Sequence, residues 1–285
     1  MSIDGLLVAA RFGLYADLAA LAGLPLFWWS MRQGIGAGAR VIMACLAFGG
    51  MAFSALWLLA SAAAMTGASA LAPDWSVVDI LLRETMIGPL LAVRAVALLL
   101  LLLLVAVSRQ GAGSPAILAL FATIATATLA WSGHAGATEG AAGTVHRFAD
   151  VLHIIAASAW FGALLALLVK LSPGKPNARQ MQQAALMLHR FSTFGTLFVA
   201  TLLISGAINS VMIVGLPNMP LLLHSLYGAL LLAKLALFGG MLLLAALNRW
   251  RLTPALARAA DGPELASART HLRLSAYSSA YASKP

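Results

Sequence analysis

His146, Asp150 and His153 recur at i, i+4 and i+7 in "HRFADVLH". On a helix that spacing places three side chains on one face over two turns. Two imidazoles beside a carboxylate can bind a metal: one ring nitrogen ligates while Asp150 accepts the other ring N–H and fixes the ring. His134, in "WSGHAG", follows Gly133 just upstream and can fold over the same face. His224 and the thioethers of Met65, Met86, Met212 and Met219 fall on the same side of the chain in the topology below. Imidazole and thioether together suit copper, thioether favouring Cu(I), whereas a hard cation would want more carboxylates and carbonyls. The expected ligand is a copper ion, Cu(I) or Cu(II), with His134, His146, His153, His224, Met86 and Met219 as candidate ligands and Asp150 behind them.

What must position these groups is a set of membrane helices. The chain has 285 residues, 61% of them hydrophobic and 9% charged, and a mean hydropathy of +0.92. A soluble domain of that length needs more charge to cover its surface, and several apolar runs reach the roughly 20 residues of a membrane helix. The expected fold is all-α, a polytopic bundle of about seven spans at 4–29, 40–64, 88–107, 115–132, 147–170, 190–214 and 221–247. The opening "MSIDG" lacks a basic region, so the first run is expected to be retained as a span. "TGASALAPDWSVVDILLRETMIG" links the second and third spans and should carry a short interfacial helix at about 75–86, since Trp favours the membrane interface. Cys45 is the single cysteine, so no intrachain disulfide is possible.

Alternate loops divide the basic residues sharply. One set holds 13 of the 18 Lys and Arg, the opposite set only Arg83 and Arg147. The positive-inside rule puts the first set in the cytoplasm, the N-terminus outside and the C-terminus inside. Residues 1–250 then form the bundle and 251–285 a cytoplasmic tail. The net charge of +9 reads as topology and contact with membrane lipid; it is spread over short loops and carries no nucleic-acid motif. His146, Asp150 and His153 begin the fifth span, at its outer end.

Four polar groups fall inside spans: Arg11, Asp17, Arg94 and Lys234. Such residues normally face the bundle and pair, because a charge at the helix centre costs about 2.5–3.5 kcal/mol on insertion scales. Asp17 is expected to partner Arg94 or Lys234, and Tyr227 shares a helix face with Lys234. Arg11 is expected to reach outward along its stem. On the inner side His189, Met181 and Met187 could form a release site.

No Walker motif, HExxH or GxSxG is present, so neither direct use of ATP nor a hydrolase is expected, and the protein is read as no enzyme. A haem protein is the alternative from another class, with His153 and His224 as ligands from two helices, although CxxCH is missing. A sensor or scaffold that binds copper without moving it would carry the same outer site.

Four segments, in order, resemble the CopD family of bacterial copper-resistance inner-membrane proteins: "ETMIGPLLAVR" (84–94), "SGHA" (132–135) followed by "ADVLHIIAASAWFGALLAL" (149–167), "HRFSTFGTLFVATLLISGAIN" (189–209) and "YGALLLAKLALFGGMLLLAALNRWRLTP" (227–254). The resemblance covers about 84–254. It implies a multi-pass protein of the bacterial inner membrane that passes copper from periplasm to cytoplasm, in partnership with a small periplasmic CopC-like copper-binding protein. It marks His134, Asp150, His153, Trp160, Asn209, Tyr227 and Lys234 as family positions; His146 is added from spacing alone. The chain departs from the family at its C-terminus. The family usually has an eighth span, whereas "ARTHLRLSAYSSAYASKP" holds no apolar run of that length.

Overall fold

The computed structural model describes residues 3–67, 69–107, 115–133, 136, 138–171, 178–215, 217, 218, 220, 225–247 and 250. His134, Met219, His224 and the tail from 251 lie outside the described residues, as do the side chains of Met181, Met187 and His189. The helices are α1 (Ile3–Ser30), α2 (Ala37–Thr66), α3 (Trp75–Arg83), α4 (Ile87–Val107), α5 (Pro115–Ala127), α6 (Gly140–Leu171), α7 (Ala178–Val214) and α8 (Leu226–Leu247). A 3-10 turn, Thr128–Ser132, extends α5. No strand occurs among the described residues; Ser69 and Ala72 make one isolated bridge.

Among the described residues, seven helical segments are long and apolar enough to cross a membrane, from Gly5–Ser30 to Leu226–Leu244. They fall on the seven expected spans. Two helices start well before the expected spans, α7 at Ala178 rather than near 190 and α6 at Gly140 rather than near 147. The first two turns of α6, "GAAGTVH", are too weakly apolar to read as membrane, yet they are helical and bury His146.

The chain divides into two compact units, Met1–Ala159 and Trp160–Pro285. In the first, α1 packs on α2 and α5, and α4 packs on α2 and α5. Leu14, Leu18, Leu21, Met43, Leu98 and Leu101 fill its core, with Ala47, Ala122 and Ala125 between them. In lipid the tails are as apolar as Leu, so association relies on close backbone approach and interhelical hydrogen bonds. Both are present. Thr126 Oγ1 donates across to the Leu18 carbonyl at 3.0 Å, and a Cβ on Gly13 would come within 2.5 Å of the Phe53 ring.

The expected interfacial helix is α3, shorter by three residues than read from the sequence. Asp74 caps it, accepting from Ser76 N at 3.0 Å and from Ser76 Oγ at 2.6 Å. Val78 and Leu81 are buried against the bundle while Trp75 is exposed, and α3 touches both α2 and α4. In the second unit Trp160 and Leu164 of α6 pack with Met241 of α8, flanked by Phe198 and Val199 of α7.

Candidate metal-binding and polar site

The first two turns of α6 set His146. It is 1% exposed, and its Nδ1 lies 2.9 Å from Thr138 Oγ1. Thr138 is itself fixed, because Arg147 Nη1 donates to its carbonyl at 3.0 Å. The hydroxyl can donate to Nδ1 and leave Nε2–H, or accept from Nδ1–H and leave Nε2 as the lone-pair nitrogen. The second arrangement is the one a metal ligand needs. Asp150 and His153 follow on the same helix and are half-buried. Among the described residues no three His, Cys, Asp or Glu side chains converge as a ligand set. Met86 sits in the turn between α3 and α4 and is 63% exposed.

A second polar group lies nearby in the first unit. Arg94, on α4, is 1% exposed. Its Nε donates to Thr128 Oγ1 at 2.8 Å and its Nη1 to Ser54 Oγ at 3.1 Å. Each hydroxyl also donates to its own helix, Ser54 to the Gly50 carbonyl at 2.6 Å and Thr128 to the Ala125 carbonyl at 2.6 Å. Their lone pairs are thereby free to accept from the guanidinium. Arg94 thus ties α4 to α2 and to the 3-10 turn. Its Nη2 is buried without a hydrogen-bond partner among the described residues.

Tyr15, on α1, donates to the Leu129 carbonyl at 3.3 Å. It lies within electrostatic reach of Arg11, Asp150 and Arg94. Arg11 is exposed, as expected for a side chain reaching outward, and donates to the Ser132 carbonyl. Helices α1, α4 and α6 therefore share one polar cluster.

Two expectations for the buried charges are corrected. Arg94 does not pair with Asp17, because two hydroxyls hold it instead, and Arg83–Asp79 on α3 is the ion pair found among the described residues. Lys234 was expected to face the bundle. It is exposed on α8, as is Tyr227 on the same face; the long apolar stem of a lysine lets its ammonium travel to the interface. Asn209 on α7 is half-buried and Trp160 is buried in the second unit. Sequence reasoning missed Tyr15, Ser54, Thr128 and Thr138. The available signal was the threonine run "TIATATLAWS" in an apolar span beside a span carrying an arginine.

Comparison with known proteins covers almost the whole chain. Residues 2–144 match the family described as Copper resistance protein D-like, N-terminal domain, and residues 185–280 match Copper resistance protein D. Copper resistance protein D of Pseudomonas syringae pv. tomato is 36% identical over 95% of this chain and 90% of its own length. Inner membrane protein YebZ of Escherichia coli is 34% identical over 57% of this chain and 54% of its own. Copper transport protein CutJ of Bacillus subtilis is 36% identical over 42% of this chain and 21% of its own. No solved structure matched.

Proposed function

The chain belongs to the copper resistance protein D family, and from that premise we propose that it carries copper across the bacterial inner membrane, from periplasm to cytoplasm. It is a multi-pass membrane protein of a copper-resistance family, not an enzyme. Copper is the substrate. Capture is at the α3 end of the bundle, by His146 and His153 on α6; the sequence adds His134, Met86, Met219 and His224 as candidate donors. The supporting observation is the buried His146 with Thr138 on its Nδ1, one turn from Asp150 and two from His153. The hydroxyl fixes the ring and Asp150 offers an acceptor to a ligand N–H, so a soft ion meets pre-set imidazoles.

The positive-inside distribution supports an outer position for this end. A periplasmic CopC-like copper-binding protein would deliver the ion there. From the capture site copper passes Asp150 and the polar cluster of Tyr15 and Arg94. Trp160, buried, and Asn209, half-buried, are assigned to the remainder of the path or to holding its walls. The test is copper content of the purified protein combined with copper uptake into vesicles, for wild type and for His146→Ala and His153→Ala. Loss of both in the variants supports the reading. Binding without flux in the wild type would make the protein a copper-binding scaffold.

A further inference from the structure

Asp17 is a half-buried acid at membrane depth that the capture site does not use. It lies midway along α1, fourteen residues from Ile3 and thirteen from Ser30, about 20 Å from either end. Its carboxyl rests on bare α2 backbone. A Cβ on Gly49 would stand 2.5 Å from Asp17 Oδ1, and one on Gly50 would stand 3.2 Å from Oδ2 and 3.1 Å from Leu18. The two glycines make the room, and Leu18 and Leu98 close it. Oδ2 is buried and accepts no hydrogen bond among the described residues.

Among the described residues, the cations and titratable groups of the helices packed around it are as follows. On its own helix, Tyr15 bonds the Leu129 carbonyl and Arg11 the Ser132 carbonyl. On α4, Arg94 is held by Thr128 and Ser54. Helix α2 carries Arg40 and Cys45, about two and a half turns and one turn from Gly49; Cys45 is exposed. Helix α5 carries no titratable residue. On α6, Asp150 interacts with Tyr15. An ionised carboxylate at this depth, with neither cation nor donor among the described residues, gives way to the neutral acid.

We propose that Asp17 is a proton-carrying site at the centre of the membrane, neutral in the resting bundle and releasing its proton as copper passes. The step breaks and re-forms only the carboxyl O–H bond. The proton leaves to water on the side from which copper enters and is replaced by one from water on the side copper reaches, and no electron moves. The coupling rests on the copper-passage reading above; the protonation does not.

Two measurements separate these. The full chain in phospholipid vesicles is examined by infrared difference spectroscopy across pH. A protonated-carboxyl C=O band present at neutral pH in the wild type and lost in Asp17→Asn is expected. Its absence from the wild type, or its persistence in the variant, would overturn the protonation. The same vesicles, loaded with a pH dye, are given Cu(I). Wild type is expected to move protons against copper, and a gradient of one pH unit to change the steady-state copper ratio about tenfold for one proton exchanged. In Asp17→Asn this response is lost while bound copper is retained. Gly49→Ala, which pushes the carboxyl off its seat without removing it, weakens the response. Copper flux with unchanged proton movement in both variants would overturn the coupling. No copper flux in the wild type would overturn the transport reading and the coupling with it, and the infrared result would still decide the protonation.

Discussion

Thr138 shows how far a single hydroxyl can matter here. It is the partner of His146 Nδ1, and groups that orient a ligating histidine are worth about 10–100-fold in metal affinity. Thr138→Val should therefore weaken copper binding at least about tenfold while leaving the helical circular dichroism unchanged; competition with a chelator of known affinity reads it. Arg94 is the structural counterpart. Arg94→Ala removes two interhelical hydrogen bonds and opens a cavity, and should destabilise the first unit by about 1–3 kcal/mol, seen in thermal unfolding in detergent. His146, Asp150 and His153 were legible because one helix and its 3.6-residue period fix their relation. Ser54 and Thr128 were not, since a hydroxyl in an apolar helix ordinarily bonds a carbonyl of its own preceding turn and leaves no spacing to read; Thr138 sits just before α6 and Tyr15 reaches the Leu129 carbonyl on another element, contacts that only packing sets. The same limit explains the Asp17–Arg94 expectation. Opposite charges in neighbouring spans suggest a pair, but the depth and face at which each lies are set by packing.

Helix α3 was legible from Pro73, Asp74 and Trp75, and it invites a test in pH. The hydrogen bonds from Ser76 hold the Asp74 carboxyl below the usual carboxylate range. A depressed acid stabilises the folded form above its ordinary titration range and loses that contribution as pH falls through the lowered value. Deuterium exchange over residues 75–83 should rise in acid for the wild type, and should already be raised at neutral pH in Asp74→Ala. Gly88 sets the other contact of α3. A Cβ there would stand 1.8 Å from the Leu82 carbonyl oxygen, a backbone atom that cannot swing aside. Gly88→Ala should part α3 from α4 and lower the melting temperature, whereas Ala92→Gly one turn on, at an exposed position, should do much less. The start of α6 was not legible. The turn into Gly140–Val145 closes tightly on its own backbone, with Gly143 close enough to the Thr138 carbonyl that a Cβ would lie 1.9 Å away, and no hydrophobic period announces that.

For the molecule as a whole, seven spans follow from composition and run length, since lipid leaves few alternatives to a continuous apolar helix. Their orientation rests on 13 of 18 basic residues lying in one set of loops. Single cysteines at Ser69 and Gln33 in a Cys45→Ala background should be reached by an impermeant thiol reagent from opposite sides, Ser69 from the periplasm. Reversed labelling would turn the copper path around. The central claim, that copper is captured at the α3 end and carried inward, is tested most directly by measuring bound copper and vesicle uptake on the same preparations of wild type, His146→Ala and His153→Ala. The expected result is copper bound and transported by the wild type, with both lost together in the variants. Undiminished copper binding and uptake in the two variants would contradict it, and iron with a Soret band in place of copper would replace it with a haem protein.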